Sequence, residues 1–231
     1  MDEKSTSIKE YHFDHYADKY ESILKKHLSF FEQESDYFAE YKVDCLSRNA
    51  IKSNYRKILE YGCGIGRNLK FLNEKFPDAV LFGCDLSEKS LEIAARNNPR
   101  VSFFFPAENG PSDEFDLIFV SCVFHHIPPD LRELVLRGLY RMISDDGEIF
   151  IFEHNPYNPV TIYIVKKCSL DSDAVLIKLK SMKSLLEMSR FKIIKNNYTL
   201  FFPSVLKKLR PIEKFMHSIP LGGQYFIQAK K

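Results

Sequence analysis

From Tyr11 to about Ser53, apolar and aromatic residues recur every three or four positions (Phe13, Tyr16, Tyr20, Ile23, Leu24, then Phe38, Tyr41, Val43, Leu46). No Gly or Pro interrupts them, which predicts an N-terminal helical segment over 1–54. At Lys57 the pattern changes to short apolar runs at 57–61, 79–85, 101–105, 115–121 and 147–153. Between them lie stretches at helical spacing: RNLKFLNEKF, SEKSLEIAARNN and PDLRELVLRGLYRMI. Strands alternating with helices predict a parallel sheet of right-handed βαβ units. Past Glu153 the rhythm breaks: residues 154–180 show little periodicity, MKSLLEMSR looks helical, and 191–202 and 224–231 read as a sixth and a seventh strand. The expectation is an α/β fold with a doubly wound, seven-stranded, mostly parallel sheet over 55–231 and variable segments near 155–190 and 203–222.

Composition narrows the class. With 231 residues, 45% of them hydrophobic, the chain can bury a core without staples. The longest apolar run, Leu117 to Phe124, is far short of the ~20 residues of a membrane helix, and the start of the chain is charged, so a spanning or secreted protein is not expected. The five cysteines are odd in number and lack CxxC spacing. They read as reduced thiols of a cytoplasmic protein, with no disulfide framework and no metal site. Charge is uneven: residues 1–154 carry 19 Lys+Arg against 27 Asp+Glu, and residues 155–231 carry 14 against 4. The basic C-terminal third either solvates an exposed face or attracts an anionic acceptor or a membrane surface.

The most informative stretch is Glu60-Tyr61-Gly62-Cys63-Gly64-Ile65-Gly66, at the junction of the first strand and first helix. Glycines there permit a tight turn and close backbone approach to a ligand, with free N–H groups at the helix start. A dinucleotide fingerprint would need Gly where Arg67 or Leu69 stands, and no G-K-[ST] follows for a P-loop. Glu60 would repel a pyrophosphate but suits an ammonium or a sulfonium. Asp85 ends the second strand nineteen residues beyond Gly66, where a carboxylate can accept both hydroxyls of a ribose; its alternative is to cap the following helix, a task Ser87 would do better.

Glu60-x-Gly62-x-Gly64-x-Gly66 followed by Asp85 resembles the class I S-adenosylmethionine-dependent methyltransferases, and the resemblance covers roughly 55–154. It implies a Rossmann-like methyltransferase fold, S-adenosyl-L-methionine as cofactor and S-adenosyl-L-homocysteine as product. Cofactor contacts would fall on Glu60, Gly62, Cys63, Gly64, Gly66, Asp85 and Leu86. Adenine would be met by the Ala107 backbone or Glu108, since Pro106 stands where the family often has an acid. Ser121, ending the fourth strand, would lie beside the methionine moiety. Tyr11 to Tyr20 looks like the family's N-terminal lid, with Tyr16 as a cofactor contact. The alternative for these aromatics is plain packing.

Methyl transfer from a sulfonium needs an aligned nucleophile and exclusion of water, and a hydroxyl acceptor also benefits from a base. His125 and His126 follow the fourth strand and Glu153 ends the fifth, on the edge where ligands of open α/β sheets bind. Some sugar O-methyltransferases look similar here. A hydroxyl-methylating enzyme acting on a small, glycosylated, lipid-linked or nucleotide-linked acceptor is therefore expected, with His125 as base oriented by Glu153, and with His126, His154 and Asn155 holding substrate. The alternatives are carbon or nitrogen methylation, and a cofactor-binding protein without turnover. Asn155-Pro156-Tyr157 lies after the wrong strand for an amino-methyltransferase of nucleic acids, so a nucleic-acid partner is not expected. Residues 203–222 mix apolar side chains with lysines, so peripheral membrane contact is one expectation for them; a lid or a dimer surface is the other.

Overall fold

The computed structural model describes residues 34–106, 115–202 and 204–231. It begins with α1 (Glu34–Asn49), then β1 (Lys57–Tyr61), α2 (Arg67–Lys75), β2 (Val80–Cys84), α3 (Glu88–Asn97), β3 (Ser102–Phe104) and β4 (Phe115–Ser121). A 3-10 turn at Phe124–His126 leads to α4 (Arg132–Met142) and β5 (Ile143–His154). There follow α5 (Pro159–Lys167), a 3-10 turn at Ser169–Asp171, α6 (Leu179–Met188), β6 (Lys192–Thr199), a 3-10 stretch at Ser204–Phe215 and β7 (Gln224–Lys230).

The seven strands form one sheet in the order β3-β2-β1-β4-β5-β7-β6. β1 to β5 pair in parallel, and β7 runs antiparallel to both β5 and β6. The order reverses at β1 and β4, and the crevice beyond their carboxyl ends is where ligands of open α/β sheets bind. Alternation explains the unbroken apolar runs: Ile118, Val120, Ile149 and Ile151 pack on one face of the sheet, and Leu117, Phe119, Phe150 and Phe152 on the other. Both faces are covered, so neither set of alternate positions is polar.

The helix α1 covers the second face beside α2, burying Val43 and Leu46 and pairing Asp44 with Lys75 at 2.6 Å. Buried Asp116 accepts from the backbone N–H of Arg56 (2.7 Å) and Lys57 (3.1 Å), which fixes the start of β1. Glu148 accepts from Ile51 N, Gln228 Nε2 and the Tyr55 hydroxyl, tying the segment before β1 to β5 and β7.

Two segments differ from the pattern-based expectation. Residues 154–180, which show little periodicity, contain the nine-residue helix α5, whose start is set by Asn158 accepting from Thr161 N at 2.9 Å and by Pro159 in its first turn. The third strand is only three residues long, ending before exposed Phe105 and before Pro106, which has no N–H for the ladder. Tyr16, with the remainder of residues 1–33, and Ala107 and Glu108 lie outside the described residues.

Candidate active site

The glycine loop leaves β1 through three left-handed positions, Gly62 (φ 70°), Gly64 (φ 52°) and Gly66 (φ 79°). The N–H groups of Gly62 and Cys63 both donate to Cys84 O, at 2.8 and 3.0 Å, clamping the end of β1 to the end of β2. A Cβ on Gly62 would lie 2.4 Å from Val123 Cγ2 and one on Gly66 2.6 Å from Asn98 Nδ2, whereas one on Gly64 would meet nothing within 4 Å. The loop is therefore packed on two sides and open at its apex. Cys63 is buried beneath it.

Asp85 follows β2, with Oδ2 accepting from Gly64 N (2.8 Å) and Oδ1 from Ser87 N (3.0 Å). The cap of α3 is Ser87, which accepts from Ser90 N at 3.1 Å. Asp85 thus sits at the open apex of the loop, beside exposed Leu86.

Glu60 is almost wholly buried in β1. Its Oε1 accepts from Asn68 Nδ2 at 2.6 Å, and its Oε2 has no hydrogen-bond partner among the described residues. Burial pushes its pKa up to about 8 against the opposing influences of Asn68 and Lys42. An unmet buried carboxylate oxygen is costly unless a cation or donor meets it. With the open space over Gly64, this oxygen would suit a cationic group of a ligand bound at the loop. Ser121 Oγ accepts from Lys42 Nζ at 2.6 Å, joining β4 to α1.

On the other side of the switch point, Glu153, the penultimate residue of β5, is fully buried. Its Oε1 accepts from Val123 N (3.0 Å) and Phe124 N (2.7 Å), and its Oε2 lies 2.6 Å from His125 Nδ1. Burial raises the Glu153 carboxyl, but His125 and these bonds outweigh it and hold it below the ordinary value. For His125, burial lowers the pKa and the carboxylates of Glu153 and Asp171 raise it further, to about 10. Its Nε2 lies 3.5 Å from Asp171 Oδ1. His126 is 3.5 Å from the same oxygen and 3.2 Å from Asp173 Oδ1. Burial and the charge of His125 pull its pKa down to about 4.

His154 stacks 5.0 Å from the His125 ring and hydrogen-bonds Cys122. The left-handed backbone of Cys122 turns the chain at the end of β4, and Gln224 Nε2 donates to its sulfur at 3.3 Å. Burial raises the Cys122 thiol pKa, but Lys42 and His154 outweigh it and bring it to about 7. The segment after α5 is tied over the histidines, with Val175 N donating to His125 O (2.7 Å) and Arg132 donating to Val175 O (2.7 Å).

The structure thus joins His125 to Glu153 and sets His126 and His154 beside them. Asn155 departs from the substrate-holding expectation. Its Nδ2 donates to Pro220 O and Gly222 O, and its Oδ1 accepts from Tyr157 N, so its polar atoms are spent pinning the strand end to 220–222. Asp171, Asp173, Cys122 and Lys42 were not singled out from the sequence. Asp171 and Asp173 sit in the segment without periodicity, and the D-S-D spacing was the one signal available.

The sheet order, the glycine turn and the carboxylate after β2 define a class I S-adenosylmethionine-dependent methyltransferase fold. Residues 59–149 match the methyltransferase-domain family. Over 96 residues it is 33% identical to thiocyanate methyltransferase 1 of Brassica oleracea, covering 38% of this chain and 42% of that protein. It is 32% identical over 81 residues to a trans-aconitate 2-methyltransferase of Rhodopseudomonas palustris, covering 34% and 32%. These matches span less than half the length of those curated relatives. An S-adenosylmethionine-dependent methyltransferase structure from Thermotoga maritima shares the fold at a TM-score of 0.69 and 18% identity, over 96% of this chain and 98% of that one. No helix among the described residues is long and apolar enough to cross a membrane.

Proposed function

We propose that this chain transfers the methyl group of S-adenosylmethionine to a small anionic acceptor, on a hydroxyl oxygen. The carrying observation is the buried His125–Glu153 pair, 2.6 Å apart at the carboxyl edge of β4 and β5, with His125 two residues after Val123, which packs on Gly62. Bound S-adenosylmethionine supplies an activated methyl group whose leaving group is a neutral thioether. In the in-line step the acceptor oxygen forms the new C–O bond as the C–S bond breaks, and the acceptor proton leaves toward the histidines. Glu153 holds the Nδ1–H of His125 and balances its positive charge; with a pKa of about 10 the ring carries its Nε2 proton at neutral pH, and its neutral minority form takes the acceptor proton at Nε2. Glu60 binds the cationic end of the cofactor and Asp85 the ribose. The segment 169–177, tied over the histidines, keeps water out.

The excess of basic residues in 155–231 supports an anionic acceptor. So do the names of the two relatives, since thiocyanate and trans-aconitate are small anions. The same observation favours a second reading, in which the nucleophile is itself anionic and needs no base. Carbon or nitrogen methylation stands beside it.

A panel of phosphorylated and carboxylated sugars and small acids, offered with methyl-labelled cofactor, tests this. For a hydroxyl acceptor, His125→Ala is expected to lower the methylation rate by about 10²–10⁴ while cofactor binding persists. A His125→Ala protein that methylates at the parent rate would sink the hydroxyl reading in favour of the second.

A further inference from the structure

The sequence pointed to no metal-ligating set, yet His125, His154 and Asp171 each offer one ligand atom, and these atoms lie within 4.8 Å of one another. Sheet packing does not require this convergence. His125 Nδ1 is committed to Glu153, so the ring's other nitrogen is the one facing Asp171 Oδ1, 3.5 Å away. That is longer than the roughly 2.7–3.2 Å of an N–H···O hydrogen bond. It matches two ligands of a single ion, because bonds of about 2.0–2.2 Å at a tetrahedral angle set neighbouring ligand atoms about 3.4 Å apart. A carboxylate facing an imidazole nitrogen needs a positive species between them, either the Nε2 proton or an ion that displaces it. A proton would serve two atoms; three convergent ligand atoms serve an ion.

We propose that His125, His154 and Asp171 form a binding site for one divalent transition-series cation, with Glu153 anchoring His125 from outside the ligand set. Two imidazoles and one carboxylate suit zinc, manganese, iron(II) or cobalt better than magnesium or calcium. A carboxylate on the far nitrogen of a ligating histidine is the usual support of such sites. Here that carboxylate is itself fixed by two backbone N–H groups. Asp171 and Glu153 together balance the charge of the ion. Three protein ligands leave a position for an exchangeable oxygen.

Binding of the ion stands apart from methyl transfer. Its use rests on the proposed function: the ion takes the Nε2 position, holds the acceptor oxygen and lowers the pKa of its hydroxyl, so that the acceptor gives its proton to solvent water as it binds and attacks the methyl group as an alkoxide.

The test uses the full chain, purified without a histidine tag, stripped with a chelator and titrated with Zn²⁺ by calorimetry and with Co²⁺ by its visible absorption. One ion per chain is expected. Affinity should fall at least tenfold in Asp171→Asn and in His154→Gln, and about 10–100-fold in Glu153→Gln, which keeps every ligand. Asp173→Asn should bind as the parent does, and circular dichroism checks that each variant is folded. A stripped parent chain that takes up no ion, or folded Asp171→Asn and His154→Gln proteins that bind like the parent, would overturn the site. Methyl transfer and cofactor binding are followed on the same samples. Full transfer by a stripped chain that binds no ion removes this inference and leaves the proposed function. An ion bound one to one without transfer to any acceptor does the reverse.

Discussion

Glu60 and Glu153 are both buried carboxylates at the carboxyl edge of the sheet, one on each side of the switch point, and the fold treats them in opposite ways. Glu153 has every oxygen occupied, by two backbone N–H groups and by His125, and its pKa is held down. Glu60 has one oxygen bonded and one unmet, and its pKa is pushed up to about 8. A saturated buried carboxylate holds other groups in place, whereas one half-met among the described residues has an oxygen left for a further donor or cation. The edge at β5 is therefore built around an internal anchor and the edge at β1 around a half-met carboxylate; in the proposed function the first is the acceptor side and the second the cofactor side.

The comparison is broken most forcefully at Glu153. Glu153→Ala strips the partner from a buried ion pair and leaves the Val123 and Phe124 N–H groups unmet. The expected loss is about 3–5 kcal/mol of stability, read by urea denaturation. Glu60→Ala should cost far less by the same measurement. Equal losses would show that both carboxylates serve the fold.

The glycine loop gives the next largest contrast. Gly62→Ala adds a clash with Val123 to an unfavourable left-handed backbone, an expected cost of roughly 2–5 kcal/mol. Gly64→Ala meets nothing and bears only the backbone cost of ~1–2 kcal/mol. Its methyl group points into the open apex of the loop, so it should weaken cofactor binding measured by calorimetry. A Gly64→Ala protein that binds cofactor as the parent does would place the ligand elsewhere.

These two regions were also unequally legible in the sequence. The cofactor side depends on local backbone: three glycines in five residues and a carboxylate at the end of the next strand, all within one βαβ unit. The number of strands and the parallel character of most of the sheet followed from the same alternation. The acceptor side is assembled from distant positions. His125, Glu153 and His154 could be placed on one edge because each ends or follows a strand. Asp171 and Asp173 reach the histidines only because the segment after α5 folds back and is tied by Val175 and Arg132, an arrangement that no periodicity encodes. Asn155 misled because its polar type suggested ligand binding, while its carbonyl partners come from 220–222. The helix α5 was readable after all from Asn158-Pro159, a cap followed by proline in the first turn.

Asp85 tests the cofactor side directly. In the proposed function it accepts from two ribose hydroxyls; at about 1.5 kcal/mol each, Asp85→Ala should weaken S-adenosylmethionine and S-adenosylhomocysteine binding about 100-fold. An unchanged affinity would leave Asp85 with only the loop contacts to Gly64 and Ser87.

The smallest expected effect is also the most specific to Glu60. In the free protein burial raises the carboxyl and Asp85 adds to it, while Asn68 and Lys42 oppose them, so at neutral pH much of it is protonated. Its folded pKa of about 8 lies above the ~4.3 of an unfolded chain. The folded protein then holds the extra proton between those values, and this contribution to stability fades as pH rises through that window. A cationic ligand favours the ionised carboxylate. Cofactor binding near pH 6.5 should therefore release a proton from Glu60, and affinity should climb toward pH 8, until the cofactor's amino group, with a pKa of roughly 7.7–8.0, begins to lose its own charge. Calorimetry in buffers of different ionisation enthalpy reads the released proton as a slope. Glu60→Gln should abolish that slope and weaken binding at pH 8 by roughly tenfold. A parent protein that binds cofactor without releasing a proton would mean that the cation does not meet Glu60, and the contrast with Glu153 would then be one of packing alone.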